Sequence, residues 1–404
     1  MSFVDQFELE VTAADSAAVD GYSAYVREYL SYGPNLRQLF EIAEASPGAA
    51  LINAHAAALH LAFEARDGWL AAQPYLTRMK AARSTANTRE RLFCDAVAAW
   101  EQCDYRSALK ALDELTVRWP ADICALKWGQ YHAFNLGDID AMVRLGERTR
   151  VAHEKSPYAH GMIAFALEQA NRLEEAEDEG IRAVEIAIDD AWAHHAIAHV
   201  YETQGRAKDG IRWLEHCSHT WTQKGTFIRE HNWWHAALFR LSLHQYDKAL
   251  EIFDTKLWGE WPEFPQEQIG AISLLWRLEL RGADVGDRWS PIVEKVRERA
   301  DDHLFAFHDM HYVFALARAG SPEETTQFIE TIAARHNNPV WRDVATPVAK
   351  AISDYAQGNK RSAADTLSPV MDKLIQIGGS HAQRHVFVET LEHCQRHARS
   401  ASAR

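Results

Sequence analysis

The chain has 404 residues, of which 47% are apolar and 25% are charged, proportions typical of a folded protein. Its 20 glycines and 12 prolines are few for an all-β protein with many turns. The formal charge of −14 argues against a nucleic-acid partner, because phosphate binding needs a basic surface.

The N-terminus and the cysteines predict a cytoplasmic protein. The first ten residues carry Asp5, Glu8 and Glu10, where a secretory signal would be basic and then apolar. The sequence holds no run of 18 apolar residues, so we expect no membrane span. The five cysteines include no CxxC pair, which favours reduced thiols in a reducing compartment.

Residues 1–85 are expected to form N-terminal capping hairpins. The alanine-rich stretch 49–65 favours helix, because alanine loses no side-chain entropy there. A break between two hairpins is predicted at residues 46–48, which read Ser-Pro-Gly.

Residues 86–257 show a regular period. Four turn signals lie 34 residues apart, the length of a tetratricopeptide unit, and they begin at Cys103, Gly137, Asn171 and Gly205. A fifth turn, at His244, comes 39 residues after the fourth, which predicts an insertion near residues 223–227. The expected fold is all-α, a right-handed α-solenoid of stacked antiparallel helix hairpins.

Residues 258–404 keep the helical pattern with a less regular period. Turns at Gly282, Gly320 and Gly358 predict further hairpins, and a capping helix is expected from about residue 381. Irregular ends are normal in repeat arrays, because terminal units must cap them. No linker rich in Pro, Gly or Ser interrupts the chain, so we expect one continuous solenoid.

Several motifs are more specific than a generic repeat consensus. They are AWAHHAIAH at 191–199, HNWWH at 231–235, SLLWRLE at 273–279, VGDRW at 285–289, FHDMH at 307–311 and GGSHAQR at 378–384. With these motifs, residues 121–387 resemble the tetratricopeptide-repeat protein 38 family. The resemblance implies the helical-repeat fold and little about activity. The chain departs from the family at His385, where an acidic residue is expected. The resemblance therefore implies less about the role of the last motif, GGSHAQR.

The concave groove of such repeats is lined by four positions of each first helix, which share one face. In the fourth unit the groove positions are Trp192, His195, His199 and Glu202, and in the third they are Tyr158, Gly161, Phe165 and Glu168. The insertion loosens the register of the fifth unit. Strict counting gives a mostly apolar face with His231 and Trp234, whereas a shift of one residue gives Asn232 and His235. We favour the shifted register, with Trp234 in the core.

These residues admit two kinds of chemistry. Histidines four apart on a helix can reach one metal ion, so a divalent metal held by His195, His199, His231 and His235 is one hypothesis. A zinc protease is disfavoured, since Ala196 and not glutamate follows His195. General acid–base catalysis is the other hypothesis, and its candidate catalytic residues are His195, His199, His235, Glu202 and Asp309. Histidines that only fill a polar groove are the plain alternative to both.

The predicted ligand-binding residues around this set are Trp192, His231, Asn232, Phe165, Glu168, His311, His381 and Arg384. The preferred function is a pocket that binds a small molecule, either without converting it or as a hydrolase or lyase. The rival is a scaffold that holds a peptide or partner protein in the concave groove. Such scaffolds usually present Lys and Arg to clamp an acidic tail, and the groove positions here carry His, Gly and Phe instead.

Overall fold

A computed structural model gives the architecture of residues 1–402, with side chains described for residues 1–396. Two short strands, β1 (Ser2–Val4) and β2 (Glu10–Thr12), pair antiparallel with Phe3 opposite Val11. The α-helices, in chain order, are α1 (Ser16–Ser31), α2 (Gln38–Ala45), α3 (Ala50–Leu61), α4 (Arg66–Ala82), α5 (Thr88–Glu101), α6 (Tyr105–Arg118), α7 (Ile123–Leu136), α8 (Ile139–Thr149), α9 (Pro157–Gln169), α10 (Leu173–Ile186), α11 (Ala191–Thr203), α12 (Ala207–Cys217), α13 (Thr226–Ser242), α14 (Tyr246–Ile252), α15 (Pro265–Leu280), α16 (Trp289–Arg297), α17 (Ala306–Ala319), α18 (Pro322–Ala333), α19 (Thr346–Ala356), α20 (Lys360–Leu367) and α21 (His381–Ser402). Short 3-10 or π segments lie at Arg83–Thr85, Ser218–Gln223, Phe253–Leu257, Gly286–Arg288, Trp341–Ala345 and Ser368–Ile377.

Consecutive helices pack against each other in the pairs α3–α4, α5–α6, α9–α10, α15–α16, α17–α18 and α19–α20, which confirms the predicted all-α fold of helix hairpins. The first helices α5, α7, α9, α11 and α13 begin 34 or 35 residues apart. Each of the five turns predicted within residues 86–257 starts with a residue in the left-handed region, and the φ angles are 56° at Cys103, 68° at Gly137, 57° at Asn171, 70° at Gly205 and 56° at His244. A residue in the left-handed conformation ends a helix, because it lets backbone N–H groups beyond the helix donate to the last carbonyl groups of the helix.

Small residues on the second helices let the next hairpin approach closely. Gly180 on α10 faces Ile197, and a Cβ at this glycine would lie 2.6 Å from the isoleucine side chain. Gly210 on α12 faces the ring of Phe239 in the same way, at 2.2 Å. Any larger residue at either position would force the two helices apart.

The chain divides into two compact units. The first comprises residues 1–134, 138–201 and 212–232, and the second comprises residues 135–137, 202–211 and 233–404.

In the first unit, the strand hairpin docks on α5, where Thr12 N donates to Glu90 Oε1 at 2.6 Å. Beside it, Arg89 and Asp122 form a buried salt bridge of 2.6 Å. In the second unit, Arg277 on α15 donates to Ala382 O at 2.6 Å and so fixes the start of α21.

Helix α1 crosses the first helices of several hairpins in the first unit. Its tyrosines and the capping residue share one face, because Tyr22, Tyr25, Tyr29 and Tyr32 are spaced three or four residues apart. The ring of Tyr25 lies 5.5 Å from that of His55 on α3, and Tyr29 stacks on Trp128 of α7 at 5.0 Å. Tyr32 stacks on Trp192 of α11 at 5.5 Å. The groove face of this unit is therefore covered by a helix of the same chain.

Within residues 1–402, no helix combines the length and the apolar character that crossing a membrane requires.

Candidate functional site

Three histidines of the first unit lie together on α11 and α13, and we call them the histidine cluster: His195, His199 and His231. His195 and His199 are four residues apart on α11 and so share one face. Their Nε2 atoms are 3.0 Å apart. The ring of His231 on α13 lies 4.8 Å from that of His195. One nitrogen from each of the three residues lies within 4.8 Å of the others.

Local contacts fix the helices that carry the histidine cluster. Asp190 caps the start of α11, since its Oδ1 accepts from the backbone N–H groups of Trp192 and Ala193 at 3.0 and 3.1 Å. Asn232 is fully buried, and its Nδ2 donates to Ala191 O at 3.1 Å. Asn232 thus ties α13 to the first residue of α11 and holds His231 beside His195.

Aromatic rings surround the histidine cluster. Phe165 on α9 lies 5.2 Å from both His195 and His199, centroid to centroid. Trp192 lies 4.5 Å from His195, and Phe227 stacks on His231 at 5.7 Å. His195 and His199 are buried, and His231 is half-buried. The predicted neighbours Phe165 and Trp192 are therefore in contact with the histidines, on the groove side of their helices.

A buried carboxylate lies close to the ring of His199. Glu168, near the end of α9, has no exposed surface, and its Oε2 lies 3.6 Å from His199 Nδ1. A carboxylate at this nitrogen favours the tautomer with the proton on Nδ1. The lone pair of Nε2 then points away from Glu168, toward His195.

His235 and Glu202 form a second histidine–carboxylate pair, within the second unit. His235 Nδ1 lies 3.0 Å from Glu202 Oε2. Burial lowers the pKa of His235 to about 3, and the charge of Arg277 acts in the same direction. Burial raises the pKa of Glu202 to about 7, against the opposing charge of Arg277. Both shifts favour neutral side chains. His235 lies one helical turn after His231 on α13.

The predicted residues of the FHDMH motif make contacts of their own in the second unit. Asp309 Oδ2 lies 2.6 Å from His303 Nδ1, and both residues are buried. Burial raises the pKa of Asp309, and its contact with His303 opposes that rise. His311 donates from Nδ1 to Phe307 O at 2.9 Å, and burial lowers its pKa to about 3. Asp309 thus orients His303, a histidine that the sequence analysis did not select.

The GGSHAQR motif begins helix α21 in the second unit. His381 is the first residue of the helix and is half-buried. Arg384 is buried, and its guanidinium donates to Gly379 O. Gly378 and Gly379 have φ angles of 90° and 82°, in the left-handed region that favours glycine. These contacts give Arg384 a structural partner at the start of α21.

Sequence reasoning missed the contribution of α1 to the surroundings of the histidine cluster. Lys127 on α7 donates to Tyr29 O, and its Nζ lies 3.8 Å from the centroid of the Tyr32 ring. Burial lowers the pKa of Lys127 to about 7. Gly225 N donates to Tyr32 O at 2.7 Å, which joins the end of α1 to the segment before α13. The tyrosine spacing of α1 was the sequence signal for this packed face.

No family model matches the chain. Among solved structures, the chain is similar to yeast Tom70, with 9% identity and a TM-score of 0.45, over 94% of this chain and 88% of that one. It is also similar to the human IFIT1 dimer with m7Gppp-AAAA, with 12% identity and a TM-score of 0.42, over 98% and 97%. The P58(IPK) TPR domain is a third, with 12% identity and a TM-score of 0.20, over 86% and 99%. At these identities and scores, the similarities carry no information about a ligand.

Proposed function

We propose that the first unit binds a small molecule at the histidine cluster. The observation that carries this proposal is the position of α1, whose tyrosines cover the groove face from α3 to α11. A peptide that used this groove would have to displace α1 together with the Lys127 and Gly225 contacts that hold its end. The imidazoles, Phe165 and Trp192 form a compact set of rings in the first unit.

The chemistry of the cluster matches a planar or aromatic ligand with hydrogen-bonding atoms. Rings on three sides can stack on such a ligand, and imidazole nitrogens can either donate or accept hydrogen bonds. Imidazole also titrates near neutral pH, so the bound ligand could undergo proton transfer, as in a hydrolase or lyase.

The alternative function is a scaffold for a partner protein. Exposed isoleucines on and after α10 favour it, since Ile181, Ile186 and Ile188 are 42%, 46% and 65% exposed. A contiguous exposed apolar surface is a common feature of protein interaction sites. In that case the partner would bind outside the groove face that α1 covers.

A fragment screen separates the two functions. Small aromatic and carboxylate fragments are tested by ligand-observed NMR against the full chain, a His195→Phe variant and a His219→Ala control, which changes an exposed histidine. We expect fragments whose binding is lost in His195→Phe and kept in His219→Ala, with unchanged helical circular dichroism. If no fragment depends on His195, while Ile181→Asp abolishes capture of a partner protein, the scaffold is the function.

The cytoplasmic location and the family remain parts of this proposal. Four of the five cysteines, Cys94, Cys124, Cys217 and Cys394, are buried and form no disulfide, which supports a reducing compartment. The resemblance to the tetratricopeptide-repeat protein 38 family rests on its motifs, above all HNWWH at residues 231–235 on α13.

A further inference from the structure

We infer that the histidine cluster binds a divalent transition-metal ion, with His195, His199 and His231 as its ligands. This inference deepens the proposed function, because it concerns the same residues and names a partner for them. It does not require a small-molecule ligand, since the imidazoles alone would retain the ion.

The spacing of the nitrogen atoms fits a metal centre. In a tetrahedral zinc site with bonds of about 2.0–2.1 Å, two ligand nitrogens lie about 3.3 Å apart. The Nε2 atoms of His195 and His199 are 3.0 Å apart. Without an ion, a single hydrogen bond between two imidazoles would explain that distance. A third imidazole, from His231, has a nitrogen within 4.8 Å of both, so three candidate ligands lie in one group.

The spacing of His195 and His199 along one helix also fits a metal site. They lie four residues apart on α11, so their side chains share a face. Pairs of histidines four apart on a helix are a common way to bind one ion.

A carboxylate lies where a metal-binding histidine needs its orienting partner. Histidine ligands usually donate their second ring N–H to a carboxylate or a carbonyl group. Glu168 is fully buried on α9, and its Oε2 lies 3.6 Å from His199 Nδ1. We expect this carboxylate to orient the ring of His199 toward the ion.

The ligand set also indicates the class of ion. Imidazole nitrogens favour zinc, cobalt, nickel, copper or iron over magnesium and calcium, which prefer oxygen ligands. Three nitrogens would leave a coordination position for a ligand or a water molecule. A centre of this kind can act on a bound molecule.

Metal analysis of the full chain, made without a histidine tag in medium containing zinc, tests the inference. We expect about one equivalent of zinc after gel filtration in wild type, and its loss in His199→Ala and His231→Ala. The matched control is His216→Ala/His219→Ala, which removes an exposed pair of histidines three residues apart and should keep the ion. Retention of metal by His199→Ala, or its loss in the control, would overturn the inference.

A milder substitution tests the inference even if the alanine variants fail to fold. Glu168→Gln keeps every proposed ligand and should weaken zinc binding about 10- to 100-fold in a competition with a chelator. Unchanged affinity in Glu168→Gln, or less than a tenth of an equivalent of zinc in folded wild type, would also contradict the inference. Fragment binding to chelator-treated protein is measured in parallel. If fragments still bind through His195 without metal, the proposed function stands while the metal inference fails.

Discussion

His132 on α7 is a buried histidine of the first unit that resists protonation. It is 1% exposed, its ring meets that of Trp100 edge-on at 4.6 Å, and its Nδ1 has no hydrogen-bond partner among the described residues. Burial lowers its pKa from 6.5 to about 3. The unfolded chain therefore binds a proton below pH 6.5 that the folded chain does not accept until about pH 3.

This shift predicts how stability depends on pH. The contribution of His132 is fully present above pH 6.5, and it is lost as pH falls from 6.5 toward 3, with a slope of about 1.4 kcal/mol per pH unit. His132→Phe removes that slope and should move the acid unfolding midpoint to lower pH, as followed by circular dichroism. The exposed control His219→Ala should leave the midpoint unchanged. A midpoint that stays at its wild-type pH in His132→Phe would show that other groups govern acid unfolding.

At the scale of single elements, α1 gains its stability from packing against distant helices. Tyr29 is 8% exposed, stacks on Trp128 at 5.0 Å and lies 5.7 Å from Tyr25. The same helix face meets α3, α7 and α11, so each tyrosine contributes to covering the groove. Helices of this length are marginal in isolation, and tertiary contacts supply most of their stability.

Tyr29→Ala should lower the free energy of unfolding by about 3 kcal/mol, the scale of large aromatic deletions in a core. Urea denaturation followed by circular dichroism measures the loss. Asp20→Ala, at an exposed position of the same helix, is the control and should change stability by less than about 0.5 kcal/mol. Equal, small effects of the two substitutions would mean that α1 is not firmly packed on the groove face.

The sequence predicts the repeat elements well and the path of α1 poorly. The turns at Cys103, Gly137 and Asn171 adopt the left-handed conformations that end their helices, because turn chemistry is local. The placement of α1 depends on contacts such as Tyr29 with Trp128, 99 residues apart in sequence, and its spacing indicates only a packed face. Local signals do not specify which distant surface a packed helix meets.

At the scale of the whole molecule, the 34-residue period predicts which helices are neighbours, and the insertion before α13 loosens the register of that helix. The shifted register predicts Asn232 and His235 on the groove face. In the structure Asn232 is buried and ties α13 to α11, and the ring of His231 on the same helix lies 4.8 Å from that of His195. Trp234 belongs to the core, as predicted. A five-residue insertion changes the phase of a helix, so sequence spacing alone could not settle these side chains.

The most direct measurement of the central claim, that the histidine cluster is a ligand site, is X-ray absorption spectroscopy of the zinc-supplemented full chain. The account predicts a first shell that contains three imidazole nitrogens at about 2.0–2.1 Å, with the outer-shell scattering of imidazole rings. In His231→Ala that shell should lose one imidazole or the ion altogether. A folded protein that holds no zinc, or zinc with a six-oxygen shell and no imidazole scattering, would contradict it.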